Sequence, residues 1–294
     1  MKPKDILLAI GVAVTWGLGF VASRLALNDL SPVLMTAMRF GIAAVPCVFL
    51  RRPNVPWMTL IYISVTLFLA QFLAQAYGIA HHVPVGLTSV VVQSQALFTV
   101  AFAALAFSEI PTKVQIAGIV VATLGLLMIC LTVGYDFTVG TFTILMISPI
   151  SFAMGNLLLR KARGAPMFEL FSWLSLIAAV PLFMLSFATE GFAGVWQSLT
   201  HISLTGAISI FLIGAVTTSL AYRAWGALLR DYTAAQVVPF ALLVPFIGAA
   251  SSAVVFGETF GPLRLAGMFT VVIGIAIMVL LARPRDVPEI AGGE

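Results

Sequence analysis

Few side chains in this sequence can do chemistry, and most of those that can are amides set in long apolar runs. Gln71, Gln75 and Gly78 fall at i, i+4 and i+7, one face of a helix. Ser89 and Gln93 share a face in the next run, Gln95 lies on a neighbouring one, and Asn156 adds an amide further on. A polar group at membrane depth faces either another helix or a cavity. Interhelical bonds contribute only about 0.6–2 kcal/mol each, and four glutamines on two adjacent runs exceed what packing needs. An amide offers both donors and an acceptor, so it can replace the water around a polar solute and still let it go. Trp16, Tyr222 and Trp225 are candidate apolar walls. Arg39 sits roughly 12 Å into its run at 1.5 Å per residue. Its guanidinium needs backbone carbonyls, Asp29 or an anionic solute. The expected substrate-binding set is Trp16, Arg39, Gln71, Gln75, Gln93, Gln95, Asn156, Tyr222 and Trp225.

Catalysis has less to work with. All 11 acidic residues (Asp5, Asp29, Glu109, Asp136, Glu169, Glu190, Asp231, Glu258, Asp286, Glu289, Glu294) fall at termini, in loops or at helix ends. No nucleophile–base pair lies at depth, so an intramembrane enzyme acting on lipid-linked substrates is the weaker reading. A phosphate-binding Gly-rich loop is missing too, which argues against direct use of ATP. His81 and His82 share one loop, and Cys47 and Cys130 are isolated in apolar runs. No metal site, disulfide or cofactor is expected from them.

The elements that must carry these side chains follow from composition. The 294 residues are 61% hydrophobic and 9% charged. A soluble domain carries roughly 25% charged residues, and disorder needs low hydrophobicity, so both classes are excluded. Apolar runs occur at about 6–26, 32–50, 56–79, 84–107, 112–132, 140–160, 166–188, 203–228, 233–256 and 261–282. Runs near 20 residues fit bilayer-spanning helices, and a barrel would alternate instead. An all-α polytopic membrane protein of ten helices is expected.

Lys2, Lys4, Arg51, Arg52, Lys113, Arg160, Lys161, Arg163, Arg230, Arg283 and Arg285 flank one set of helix ends. Only Arg24 and Arg264 lie near the other set, so both termini are expected in the cytoplasm. The net charge of +4 comes from these loops, and nucleic acid is not an expected partner.

An offset of 149 pairs residues 101–125 with 250–274 and gives seven identities in 25, among them Phe107/Phe256, Glu109/Glu258, Gly118/Gly267 and Gly125/Gly274. Helices 1 and 6 match more weakly through Gly19/Gly155 and Arg24/Arg160. Five helices per repeat invert the second copy, the architecture of alternating-access carriers with a site near the midplane. The expected units are 1–133 and 134–294, around a central cavity. Glu109 and Glu258 are expected to cap the following helices, the paired glycines to let backbones approach, and Pro46, Pro149, Pro181, Pro239 and Pro245 to kink their spans.

Thr15–Phe20 (TWGLGF), Arg24, Asn28, Pro32, Arg39–Phe40 and the two Phe-x-Glu turns resemble the EamA domain of the drug/metabolite transporter superfamily. The likeness covers the whole chain as two tandem units. Val91–Phe98 and Trp225–Leu229 are similar to bacterial exporters of amino acids and their derivatives, notably the O-acetylserine/cysteine type, with aromatic amino-acid exporters as relatives. The resemblance implies inner-membrane residence, alternating access and export of a small amino-acid-like solute; export of another metabolite or drug is the alternative. The missing intramembrane carboxylate points to downhill export or exchange without a tightly coupled ion. The particular solute, the oligomeric state and the resting conformation stay open.

Overall fold

The computed structural model describes residues 1–281 except Tyr135 and Arg163, and only the backbone of Ala234 and Ala235. Arg163, Arg283, Arg285, Asp286, Glu289 and Glu294, used above, lie outside the described residues. Ten helices follow one another: α1 (Pro3–Ala26), α2 (Pro32–Val48), α3 (Trp57–Ala80), α4 (Val85–Phe107), α5 (Lys113–Cys130), α6 (Val139–Ala162), α7 (Met167–Thr200), α8 (Leu204–Asp231), α9 (Val238–Phe256, after a turn at Ala234–Val237) and α10 (Pro262–Leu281). Among the described residues nine are long and apolar enough to cross a membrane, and α2 is shorter. No strand occurs there. The protein is a multi-pass membrane protein.

Local chemistry sets many of the ends. Ser31, Thr138 and Ser203 accept the backbone N–H three residues on, which starts α2, α6 and α8. Thr112 and Gln115 form a reciprocal capping box at α5. Pro32 and Pro262 occupy the first turns of their helices, where no N–H bond is lost. α4 and α9 both end on a left-handed residue, Ser108 (φ 53) and Gly257 (φ 65), at the same repeat offset. One expectation fails at the start of α5. Glu109 pairs with Arg160 (2.6 Å) while Thr112 supplies the α5 cap. Glu258 likewise leaves α10 uncapped and reaches α4 instead.

α7 runs past the expected end at 188. It breaks at Gly191 (φ 70, ψ 163) and continues to Thr200. Gly191 takes the positive φ without a Cβ clash. Beyond it, Val195 packs inward while Phe192 and Trp196 stay exposed and stack at 6.4 Å.

The repeat is also visible in its irregularities. α3 carries a π-helical stretch at Val65–Ala70, and α8 carries one at Leu212–Leu220. α4 is interrupted at Gln93–Ser94, and α9 has a 3-10 turn at Val238–Leu242 that contains Pro239. The offset of 149 carries the first π-helical stretch into the second, and it carries Gln93 onto Leu242, the last residue of the 3-10 turn. α5 and α10 pack against each other through the paired glycines. A Cβ on Gly125 would sit 2.7 Å from the Gly267 carbonyl oxygen, and one on Gly118 2.6 Å from that of Gly274. Those backbones touch, so the close-approach reading holds.

Candidate functional site

A cavity of about 420 Å³ opens inside the bundle. All of Trp16, Arg39, Gln71, Gln75, Gln93, Gln95, Asn156, Tyr222 and Trp225 line it. Eight helices contribute lining side chains; α5 and α10 contribute none. The irregular turns explain how polar groups reach the lumen. In the π-helical stretch of α8 the Thr218 hydroxyl donates to the Ile213 carbonyl five residues back (2.7 Å). Thr218 Oγ1 also accepts from Arg39 Nε (2.9 Å), and the neighbouring Thr217 carbonyl accepts from Trp16 Nε1 (3.2 Å). Extra residues in a helical turn commonly mark functional positions, because they free backbone and side chains from the regular ladder.

The aromatic side is continuous. Trp16 lies 5.3 Å from Tyr222 and 5.0 Å from Trp225 between ring centroids. Phe171 stacks on Tyr222 at 4.7 Å. The amide side is less uniform. Gln71 and Gln75 are buried, 3% and 5% exposed. Gln93 donates Nε2 to the Ala241 carbonyl (3.3 Å), which bridges the interruption of α4 to the 3-10 turn of α9. Gln71 Oε1 and Gln95 Oε1 are buried with no hydrogen-bond partner. Of the residues grouped with them in sequence, Gly78 packs on Leu145 of α6 and Ser89 bonds the Gly86 and Pro245 carbonyls, so neither faces the lumen.

Several lining residues carry no signal in the sequence: Phe72, Phe152, Met167, Phe171 and Thr217. A Phe facing lipid and a Phe facing a cavity look alike in an apolar run. Phe72 follows Gln71 directly, and the one available cue was its place beside a buried amide.

The cavity is one-sided. Its lining reaches Leu159, Met167 and Leu229, near the helix ends on the side of the N-terminus. The opposite end is tied by carboxylates. Glu258 accepts the Val85 and Gly86 N–H groups (2.6 and 2.9 Å) at the start of α4. Asp29 accepts from the Ser203 N–H and hydroxyl (3.1 and 2.5 Å). Glu190 accepts from Ser31 and Ser186, each at 2.7 Å. Arg264 pairs with Asp136 and bonds the Thr132 hydroxyl. The described carboxylates sit at helix ends or in loops, except Glu190, which lies inside α7 just before its break at Gly191, and none of them lines the cavity. Among the described residues no cluster of His, Cys, Asp and Glu could hold a metal ion.

A bundle of spanning helices in two similar halves, enclosing a cavity that leads to one side, defines a membrane carrier. The chain belongs to the EamA-like transporter family, whose pattern matches residues 3–131 and 140–280. It is 36% identical to a Salmonella typhimurium protein named "Probable amino-acid metabolite efflux pump", over 99% of this chain and 100% of that one. An Escherichia coli protein of the same name is 33% identical, with 99% of each chain covered. A solved crystal structure at 14% identity covers 96% of this chain and 98% of its own with a TM-score of 0.67, a likeness of fold.

Proposed function

We propose that this protein is an inner-membrane secondary transporter, not an enzyme, that exports amino acids or amino-acid-derived metabolites by alternating access. Its two units, 1–133 and 134–294, rock around the central cavity, and both termini face the cytoplasm. Trp16, Arg39, Gln71, Gln75, Gln93, Gln95, Asn156, Tyr222 and Trp225 contact the solute. The observation that carries this reading is the one-sided cavity lined by uncharged amides and by a cluster of aromatic rings in contact. Such a lining suits a small solute with charged and apolar parts that must be released again. The names of the two relatives support the solute class. The cavity faces the cytoplasm, the loading side for an exporter. Transport is downhill or by exchange, consistent with a cavity wall that carries no carboxylate among the described residues.

The test is cellular. Overproduction in bacteria that accumulate amino acids should raise the extracellular level of at least one and increase tolerance to its toxic analogue. Unchanged levels of every amino acid and derivative, with the protein correctly inserted, would defeat the proposal.

A further inference from the structure

We infer that the cavity selects its cargo by charge, taking solutes with a free carboxylate and no net positive charge, with Arg39 as the carboxylate anchor. This rests on the reading above that the cavity holds the cargo. Among the described residues Arg39 is the one charged side chain that lines the cavity, and none of the acidic ones does. It is 5% exposed. Its Nε is bonded to Thr218, and its guanidinium carbon lies 3.9 Å from the centre of the Phe72 ring, so the plane of the fork is fixed from two sides. The terminal nitrogens make no hydrogen bond or ion pair to any described residue.

Arg264 shows what a settled buried arginine looks like in this fold. It is also 5% exposed, yet the Asp136 carboxylate and the Thr132 hydroxyl and carbonyl supply its nitrogens. Arg39 has a hydroxyl and two aromatic faces but no anion. A cation at membrane depth is costly without a counter-charge, and a guanidinium fork matches a carboxylate through two parallel bonds. The solute supplies the missing anion.

The rest of the wall sets the second half of the rule. Gln71 and Gln95 each keep an acceptor oxygen without a partner. Turning such an amide toward the lumen offers an oxygen to an ammonium group, so a zwitterion is accommodated. These acceptors are neutral, and nothing in the lining offsets a second positive charge beside Arg39. Dibasic amino acids and esterified amino acids are therefore rejected, while N-acylated amino acids, which keep only the carboxylate, are accepted.

The experiment uses purified full-length protein in liposomes with neutral amino acids, their methyl esters, their N-acetyl derivatives and lysine. Flux and ligand-dependent thermal stabilisation are both read. Neutral amino acids and N-acetyl derivatives should act, with esters and lysine at least tenfold weaker. Arg39→Gln should erase the preference for acid over ester, and Arg39→Lys should keep part of it. Esters as active as their parent acids overturn the charge rule and leave amino-acid export standing. Activity with N-acetyl derivatives but no amino acid overturns the accommodation of an ammonium group by Gln71 and Gln95 and leaves both the Arg39 anchor and export of amino-acid derivatives standing. No stabilisation or flux by any carboxylate overturns both. If Arg39→Gln does not fold, the acid-to-ester ratio of the unaltered protein decides.

Discussion

The Glu258 carboxylate holds the start of α4 against the turn between α9 and α10, at the end of the bundle away from the cavity mouth. It accepts two backbone N–H groups, at 2.6 and 2.9 Å, that a helix N-terminus would otherwise leave unpaired. Charge-assisted bonds contribute about 1.5–3 kcal/mol each, but Glu258 is half-buried and water replaces part of the loss. A working figure for the pair is therefore about 1.5–3 kcal/mol, or roughly ten- to 150-fold in an open–closed equilibrium at 1.4 kcal/mol per decade. Glu258→Ala should approach the upper value, and Glu258→Gln, which keeps one neutral acceptor, the lower. The reporter is a single cysteine replacing Val92, which lines the cavity behind this end, with Cys47 and Cys130 removed. An impermeant maleimide applied from outside should label it faster by those factors. Gly86→Ala gives an independent check. Its Cβ would lie 2.6 Å from Ser252 Oγ and 2.9 Å from Ala249 Cα, so α9 must move away. Labelling unchanged in folded Glu258→Ala and Gly86→Ala would refute the idea that this contact keeps the far end shut.

Gln75→Ala should lower export per folded molecule at least several-fold, about 1–3 kcal/mol for a lost partner of a buried polar group. Gln93→Ala should do so with a loss of thermal stability as well, since it also frees the Ala241 carbonyl; a packing role alone would leave normalised export unchanged in both. Ser108→Gly removes the cost of a left-handed non-glycine residue, about 1 kcal/mol, and should raise the melting temperature in detergent without changing transport. Gly125→Val should abolish folded protein, because the clash is with the Gly267 carbonyl and Val271 backbone of α10, which cannot swing aside; normal expression would argue against direct α5–α10 contact.

The spans were legible because lipid leaves no alternative to a long apolar helix, and their starts because Ser, Thr and Pro act locally. The cavity set was legible for a related reason: an amide such as Gln71 or Gln75 in an apolar run must face something polar. What stayed hidden depends on partners far away in the chain. Glu258 reads as a cap for α10, but the N–H groups that it meets belong to Val85 and Gly86, and no local pattern connects them. The π-helical stretches at Val65–Ala70 and Leu212–Leu220 lack proline, and the interruption at Gln93–Ser94 has neither proline nor glycine. At Gln93–Ser94 the tertiary bond from Gln93 to the Ala241 carbonyl accompanies the interruption in place of a breaker residue. The segment after Gly191 carries no helical signal in the sequence, because a short amphipathic stretch resembles a loop in a hydropathy pattern.

The claim that the protein carries amino-acid-like solutes through this cavity meets its most direct test in counterflow. Liposomes containing the purified protein and loaded with an unlabelled amino acid are diluted into a trace of the labelled one, with and without pH and sodium gradients. Saturable, protein-dependent entry of label for at least one amino acid or derivative is expected, unchanged when the gradients are collapsed and reduced several-fold by Gln75→Ala. Entry no faster than in protein-free liposomes for every such solute would contradict the proposed function.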